Sequence, residues 1–369
     1  MALQYRAAVL HQSGTPLSIE RVVAKEPSAG DVVVRIRAAS LCHTDLEVID
    51  GSLRYPLPMI LGHEASGIVE AVGSDVRDVR VGDHVVLSWN PHCGHCFYCD
   101  RDQPILCETY LDEGPKGVHF DGRSKSMLAS GEPLKHLMFL GAFAEYCIVP
   151  AQQAIVVPKE IPFDRSCLIG CGVMTGVGAA LNIANIRQGD TVLVVGCGAV
   201  GLAAIQGAAM AGAGEIIAVD INADKLGLAA ALGATRTVDA AREDPVDVAK
   251  ALTRGRGADV NLESAGHPMA FRQTAEAVRP GGQVVWLGKI DVTRDVSFRW
   301  GSLMGEKRFY RSSYGGARPR RDFPFLARAY LDGRLKLDEL ITGRIGLDAI
   351  NDGFEALRAG KTIRTVVTL

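Results

Sequence analysis

Short runs rich in valine and isoleucine mark the first part of the chain. The segments DVVVRIRAAS (31–40), ASGIVEAVG (65–73) and GDHVVLSW (82–89) are bounded by Gly, Asp and Ser. β-branched residues between turn-forming residues are typical of strands. We therefore expect this part of the chain to consist mainly of β-structure.

From about residue 190, predicted strands alternate with predicted helices, a spacing that indicates βαβ units and a parallel sheet. The apolar run TVLVVG (191–196) precedes the small-residue helix AVGLAAIQGAAMAG (199–212), and EIIAVD (215–220) precedes NADKLGLAAALG (222–233). The alternation continues to GQVVWLG (282–288). The expected fold class is α/β, with a doubly wound parallel-sheet domain of Rossmann type beside a β-rich part.

The strand–helix alternation fades after about residue 315. Two amphipathic helices follow, FPFLARAYLDGR (323–334) and AINDGFEALRAG (349–360), before the strand-like IRTVVTL (363–369). Residues 109–135 are polar and glycine-rich. We expect them to form an excursion on the surface.

Composition narrows the possible partners. The 369 residues, 47% hydrophobic and 22% charged, suit two globular domains. A net charge of -2 gives no reason to expect nucleic acid or an anionic membrane as a partner. The N-terminus lacks a basic start with an apolar run, and no apolar stretch reaches membrane-spanning length. We expect a soluble, cytoplasmic protein that acts on small molecules.

Four of the nine cysteines lie in CGHCFYCDRDQPILC, residues 93–107. Thiols are kept reduced in the cytosol, so such a cluster favours a metal site over disulfides. Four thiolates make the closed, tetrahedral site of a structural zinc ion. The alternative is a loop of free thiols. The predicted ligands are Cys93, Cys96, Cys99 and Cys107.

A dinucleotide-binding fingerprint follows the strand at 191–196. Gly196, Gly198 and Gly201 have G-x-G-x-x-G spacing between a predicted strand and a predicted helix, and Asp220 ends the next strand. In this context the glycines allow a tight turn and close approach of a pyrophosphate, which the helix N-terminus attracts. The Asp220 carboxylate would bind the adenosine ribose hydroxyls and repel a 2′-phosphate, which predicts NAD rather than NADP. A glycine-rich turn in an unrelated α/β sheet is the alternative.

Three further candidate ligands are scattered along the chain: Cys42 in SLCHTDL, His63 in LGHEASG and Cys171 in LIGCGVMTG. Two thiolates and one imidazole, with one position left open, form the ligand set of a catalytic zinc in alcohol dehydrogenase. Spacing cannot join residues so far apart. A free buried cysteine and a hydrogen-bonded histidine are common alternatives.

The ordered set CHTD, GHEASGIVEAVG, GDHVV, the four-cysteine loop, GCGVMTG, GCGAVG and IRTVVTL covers nearly the whole chain. In these motifs the sequence resembles the zinc-containing medium-chain alcohol dehydrogenase family. The resemblance implies that Cys42, His63 and Cys171 bind the catalytic zinc. It also implies roles around that zinc: a carboxylate that approaches the metal, a group that orients the histidine and a hydroxyl that passes on the alcohol proton, corresponding to Glu64, Asp45 and Thr44.

The resemblance extends to cofactor and substrate. His43 and Arg364 correspond to contacts with the cofactor pyrophosphate, and Lys225 to a lysine near the adenosine ribose. The expected substrate pocket is largely apolar. Its predicted lining residues are Leu57, Trp89, Phe139 and Leu140.

The family fold implies a GroES-like catalytic domain interrupted by the nucleotide domain. We place the catalytic domain at 1–173 and 315–369 and the NAD-binding Rossmann domain at 174–314. The family commonly forms homodimers by pairing edge strands of the nucleotide domain, and residues 297–315 have suitable apolar and strand-forming residues.

The predicted activity is zinc- and NAD-dependent oxidation of primary aliphatic or aromatic alcohols, reversible to the aldehydes. The alternative is a formaldehyde dehydrogenase acting on a glutathione- or mycothiol-type adduct. The glutathione branch carries an acidic pair in the loop before the zinc histidine, whereas DGSLRYPLP (50–58) has only Asp50. Glu47 replaces the histidine that ends the proton relay in many members. A non-enzymatic sensor is a third possibility, which leaves Thr44 and the ligand set without a purpose.

Overall fold

The computed structural model describes residues 3–369, which fall into two compact units. The first unit runs through Cys171 and adds Arg318–Gly333 and Leu340–Leu369. The second comprises Gly172–Ala317 and Arg334–Glu339. The change-over points lie close to the limits predicted at 173 and 314, and the short segment 334–339 joins the second unit.

The first unit is mainly β-structure, as its valine-rich runs predict. Its strands are β1 (Gln4–Leu10), β2 (Ser18–Ala24), β3 (Asp31–Ser40), β4 (Met59–Ile60), β5 (Ala65–Val72), β6 (His84–Leu87), β7 (Ser126–Leu128), β8 (Lys135–His136), β9 (Tyr146–Pro150), β10 (Ala154–Val156), β17 (Ile341–Gly346) and β18 (Arg364–Thr368). Its helices are α1 (His43–Asp50), α2 (Glu108–Glu113), α3 (Phe163–Ser166), α9 (Pro319–Leu331) and α10 (Ile350–Arg358).

Two sheets build this unit. One has the strand order β7-β2-β1-β4-β8, and the other has the order β10-β6-β5-β3-β18-β17, with β9 also paired to β3. The C-terminal strand β18 runs antiparallel to β3, with Val366 opposite Ser40. This pairing brings the end of the chain beside the segment that enters α1.

The second unit has the alternating architecture predicted from residue 191 onwards. Its strands are β11 (Thr191–Val195), β12 (Glu215–Asp220), β13 (Arg236–Asp239), β14 (Ala258–Glu263), β15 (Val278–Trp286) and β16 (Arg308–Arg311). Its helices are α4 (Gly172–Gly178), α5 (Ala199–Met210), α6 (Ala223–Ala231), α7 (Pro245–Leu252) and α8 (Pro268–Ala277).

These six strands form one parallel sheet in the order β13-β12-β11-β14-β15-β16. The central strand β11 is buried along four of its five residues, which explains its continuous apolar run. The order reverses next to β11, so the loop after this strand lies at a topological switch point, where open α/β sheets bind their ligands. The predicted Rossmann-type α/β class is confirmed.

The expectation that residues 109–135 lie on the surface is wrong for much of the segment. It contributes α2, β7 and β8, and His119 and Lys125 are each only 2% exposed. The Lys125 ammonium can be buried because Asp31 and Asp121 carboxylate oxygens lie 2.8 and 2.7 Å from its Nζ. Polar composition indicated exposure, but paired charges satisfy these side chains inside the unit.

Among residues 3–369, no helix by itself combines the length and apolarity needed to cross a membrane. Only the bent pair Phe163–Gly170 and Gly172–Ile183 passes that test, when its two helices are counted together, by length and composition alone.

Candidate active site and metal centres

The three scattered candidate ligands meet in the fold. Cys42 lies between β3 and α1, His63 in the loop between β4 and β5, and Cys171 directly after the short 3-10 turn Cys167–Gly170. The two sulfurs and an imidazole nitrogen all lie within 4.8 Å of one another. Around zinc, sulfurs about 2.3 Å from the ion stand about 3.8 Å apart in a tetrahedron, so this spacing fits the ion. Three protein ligands leave the fourth position for an exogenous oxygen.

Asp45 holds this site together from the first turn of α1. Its Oδ1 accepts hydrogen bonds from the backbone N–H of Gly62 at 3.0 Å and from Nδ1 of His63 at 3.1 Å. Its Oδ2 accepts the backbone N–H of Cys42 at 3.2 Å. A proton on Nδ1 leaves the Nε2 lone pair of His63 for a metal, so Asp45 selects the ligating tautomer.

The titration of the ligands reflects their burial beside one another. Burial alone would lower the pKa of His63, but the charges of Asp45 and Cys42 raise it well above its ordinary value. Hydrogen bonding with Cys171 holds the pKa of the Cys42 thiol well below its usual range, and the same bond raises the pKa of Cys171. Burial raises the pKa of Asp45, against the effect of His63. A cation bound between the two sulfurs would stabilise both of them as thiolates.

Glu64 and Arg364 form a buried ion pair next to the ligands. Arg364 Nη1 lies 3.3 Å from Glu64 Oε2 and donates a hydrogen bond to the Leu41 carbonyl at 3.0 Å. The Arg364 side chain is 6% exposed and that of Glu64 is fully buried. The structure thus brings the predicted pyrophosphate contact Arg364 to the carboxylate beside the metal ligands. Sequence reasoning missed this pairing, because no short motif joins two residues 300 positions apart.

Two further predicted site residues, which come after Cys42 in the sequence, lie in the first turn of α1. His43 is exposed and Thr44 is half-buried. Their roles with cofactor and substrate stay predictions.

The four-cysteine loop forms a second, separate cluster. The sulfurs of Cys93, Cys96, Cys99 and Cys107 lie within 4.8 Å of one another. Gly94 turns the chain between the first two with φ 82°, and Cys107 Sγ accepts the backbone N–H of Cys93 at 3.2 Å. Four thiols at this spacing fit a tetrahedral zinc ion with no open position.

The fingerprint glycines occupy the loop between β11 and α5. A Cβ on Gly201 would stand 1.8 Å from the Gly196 carbonyl oxygen, and one on Gly196 would stand 2.7 Å from the Ala265 nitrogen. By contrast, apart from its chain neighbours, no heavy atom in the described part of the chain lies within 4 Å of the Cβ position of Gly198, the N-cap of α5. Two glycines thus serve close packing, and the third borders open space at the helix N-terminus, which is the end of a helix that attracts a phosphate group.

Asp220 ends β12 beside this loop. Its Oδ2 accepts the backbone N–H of Cys197 at 2.7 Å, and its Oδ1 accepts that of Asn222 at 3.0 Å. A carboxylate oxygen has more than one acceptor site, so both oxygens retain capacity for ribose hydroxyls. Lys225 lies in the first turn of α6 and is half-buried.

All four predicted pocket residues lie in or against the core of the first unit. Leu57 and Trp89 are partly buried against the core that contains Leu140, and Trp89 also packs against the cluster that contains Phe139. Phe139 and Leu140 are fully buried. The Phe139 ring faces Tyr110, with 5.5 Å between ring centroids. Their contact with substrate stays a prediction.

Two family models match the chain. The Alcohol dehydrogenase GroES-like domain covers residues 28–159, and the Zinc-binding dehydrogenase model covers residues 199–330. The first range contains Cys42, His63 and the four-cysteine loop. The second contains Asp220 and most of the parallel sheet.

Relatives resemble the chain over its full length. It is 38% identical over 368 residues to S-(hydroxymethyl)glutathione dehydrogenase of Saccharomyces cerevisiae, covering 98% of this chain and 95% of that protein. An alcohol dehydrogenase zinc-binding domain protein from Burkholderia ambifaria superposes with a TM-score of 0.96 at 36% identity, over all of both chains. Benzyl alcohol dehydrogenase from Acinetobacter calcoaceticus superposes with a TM-score of 0.94 at 31% identity, over 100% of this chain and 99% of that one. With the ligand sets and the nucleotide loop in place, the chain belongs to the zinc-containing medium-chain alcohol dehydrogenase family.

Proposed function

We propose that this protein oxidises a primary alcohol group to an aldehyde or thioester with NAD, using a zinc ion held by Cys42, His63 and Cys171. The observation that carries the proposal is the three-ligand cluster with Asp45 behind His63. A structural site closes with four protein ligands, whereas three ligands leave room for the substrate oxygen. The four-cysteine loop would hold the second, structural zinc.

Zinc at the three ligands would supply Lewis acidity that favours loss of the alcohol proton, and NAD would accept the hydride. The residues of the chain prepare this chemistry. Asp45 would keep Nε2 of His63 directed at the metal, and the Thr44 hydroxyl would receive the alcohol proton. The Glu64–Arg364 pair keeps a carboxylate beside the site without an uncompensated buried charge.

The first candidate substrate is the S-hydroxymethyl adduct of formaldehyde with a thiol. Such an adduct carries a primary alcohol group, so the same zinc and NAD chemistry applies to it. The yeast relative that is 38% identical is named for this substrate with glutathione. The relatives thus support this alternative better than the free alcohols that the pocket prediction favoured.

A free primary alcohol is the second candidate, favoured by the loop before the zinc histidine. Asp50 is the one acid in residues 50–58, and its Oδ1 is bound by Arg358 Nη2 at 2.6 Å. This pairing leaves the loop without a free acidic pair for the charged groups of glutathione. The benzyl alcohol dehydrogenase that superposes at 31% identity supports the same reading.

A substrate panel at fixed NAD separates the candidates. We would measure catalytic efficiency for ethanol, hexanol, benzyl alcohol, 2-propanol and sorbitol, and for formaldehyde with and without glutathione. A thiol-dependent rate far above that for benzyl alcohol would support the adduct. Higher efficiency with benzyl alcohol and no effect of thiol would support the free alcohol, and no turnover of any of them would refute the proposed function.

We further propose a homodimer acting in the cytoplasm. Among the residues that the structure describes, strand β16 pairs with β15 alone and so ends the parallel sheet. Exposed apolar side chains lie on and near this edge, with Trp300 77%, Met304 57% and Tyr310 42% exposed. A second copy that covered them would remove apolar surface from water and satisfy the open strand edge.

A further inference from the structure

Two successive residues in the first unit have a backbone conformation that L-amino acids rarely adopt. Met138 has φ 53° and Phe139 has φ 65°. Non-glycine residues persist in the left-handed region only where their surroundings hold them there, and such sites cluster around ligands. Specific contacts must therefore hold this turn.

Two buried side chains bind the carbonyls of these two residues. Gln153, which is completely buried, donates from Nε2 to the Met138 carbonyl at 3.1 Å and to the Ser88 carbonyl at 2.8 Å. His119 Nε2 lies 3.0 Å from the Phe139 carbonyl oxygen. Carbonyls only accept hydrogen bonds, so the amide of Gln153 must present its NH2 group and His119 must carry its proton on Nε2.

Gln153 therefore ties together two chain segments, each just before a residue predicted to line the pocket. Ser88 precedes Trp89, and Met138 precedes Phe139. Rotation of either clamped peptide would turn the side chain that follows it. The His119 ring also stacks on that of Phe139, with centroids 5.2 Å apart and planes at 22°.

Both segments run beside metal ligands. Past Phe139, the backbone N–H of Ala142 donates to the Gly62 carbonyl at 2.9 Å, directly before His63. At the other segment, a Cβ on Gly170, directly before Cys171, would stand 2.8 Å from the Leu87 carbonyl oxygen. The clamped peptides thus belong to the part of the wall that adjoins the zinc ligands, where a substrate would lie.

An amide side chain at position 153 is less favourable for stability than an apolar side chain would be. Its Oε1 is buried and has no hydrogen-bond partner in the described part of the chain. A buried acceptor without a partner weakens the folded state. An apolar side chain of similar volume would avoid that cost but could not bind the two carbonyls.

We propose that Gln153 is a positioning residue that sets substrate selectivity, by holding the Ser88 and Met138 peptides and hence the wall formed by Trp89 and Phe139. This inference rests on the proposed function and on the predicted pocket. Gln153 is neither one of the predicted pocket residues nor one of the predicted zinc ligands. It acts through the left-handed turn, and His119 supports the same turn from the next carbonyl.

The test compares Gln153→Met with Gln152→Met, a change at the neighbouring, half-buried glutamine. Because the pocket wall moves while zinc and its ligands stay, Gln153→Met should lower kcat/KM for the preferred large substrate of the panel about 10-fold, mainly through KM. For ethanol, which needs less of the wall, the change should stay within about 2-fold. The KM for NAD and the two zinc ions per chain should not change, and Gln152→Met should match the wild type throughout.

A rescue variant distinguishes positioning from general stability. Glycine adopts φ 53° without strain, so Met138→Gly in the Gln153→Met background should restore the selectivity ratio. An equal loss for large and small substrates, or a lower melting temperature with an unchanged ratio, would overturn the proposal. If Gln153→Met does not fold, His119→Leu should shift the same ratio and His119→Gln, which keeps a donor, should preserve it.

A crystal structure of Gln153→Met decides the same point without turnover. We expect Met138 and Phe139 to leave the left-handed region in that variant. An unchanged turn would refute the role of Gln153 even if the wild type were active. A wild type that is inactive on every alcohol and adduct would refute the proposed function instead, and the crystal structure would still show whether Gln153 holds the turn.

Discussion

Asp45 Oδ1 lies 3.1 Å from Nδ1 of His63, and both side chains are buried. This contact orients a predicted metal ligand and sets its tautomer. The charge of Asp45 should therefore affect zinc affinity more than the stability of the fold. We expect Asp45→Asn to lower zinc affinity at this site about 10- to 100-fold, with activity falling in parallel. Competition with a chelator followed by metal analysis measures the change. Asp50→Asn, at the other end of α1, is the control, and equal zinc loss in both variants would contradict the assignment.

The two cysteine clusters should respond differently to the same chemical change. Purified protein should contain two zinc ions per chain. Cys171→Ser should lose one ion and the activity while the fold persists, because the fourth position of that site belongs to the substrate. Cys99→Ser should lose the other ion and lower the melting temperature, because a closed site contributes to folding. Full activity in Cys171→Ser would show that the three-ligand assignment is wrong.

Asp220 should determine cofactor choice. Asp220→Gly should raise the KM for NAD about 10-fold or more and improve relative use of NADP, because one carboxylate both accepts ribose hydroxyls and repels a 2′-phosphate. Asp239 ends the neighbouring strand β13 and caps a turn in the same way, with its Oδ1 accepting the Ala241 N–H at 3.0 Å. Asp239→Gly therefore controls for the lost backbone bond. Unchanged NAD kinetics in Asp220→Gly would contradict the fingerprint.

Stability should fall in acid partly because of His136. Burial lowers the pKa of this histidine from 6.5 to about 3, with a further contribution from nearby His119. Between pH 6.5 and about pH 3, this histidine is protonated in the unfolded chain but neutral in the folded one. The free energy of unfolding therefore rises with pH across this window and falls as the pH is lowered through it. The full shift corresponds to about 5 kcal/mol.

Denaturant titrations between pH 3 and 7 measure this effect. His136→Gln should flatten the pH dependence relative to the wild type, since glutamine does not titrate. Zinc release affects both proteins alike, so the difference between them isolates His136. Parallel slopes would contradict the prediction.

The edge of the parallel sheet should carry the dimer contact. Light scattering at micromolar concentration should give twice the mass of one chain. Trp300→Glu should shift the protein towards monomer, because it places a charge in the proposed apolar contact. Val81→Glu, at a 63% exposed position of the first unit, is the control. A monomeric wild type would refute the dimer.

Local pattern was sufficient for the second unit and for the four-cysteine loop. The alternation from residue 191 predicts strands, helices and a parallel sheet, because the spacing of apolar residues in each segment shows which of its positions are buried. The fingerprint glycines and Asp220 lie within 25 positions of one another, and one turn joins them. The cysteines of residues 93–107 are likewise close enough for spacing to indicate a shared metal.

Only the tertiary structure decided which distant residues meet. Cys42, His63 and Cys171 span 130 positions. From the sequence, only the family resemblance predicted that they share one site. Pairing of β18 with β3 brings Arg364 to Glu64. Lys125 is buried between two carboxylates, although the polar sequence around it predicted an exposed position. The two carbonyls held by Gln153 have no sequence signal at all. Long-range contacts of this kind depend on the register of strands and on the path of loops, and a pattern of residue types records only whether a position is buried, not against what.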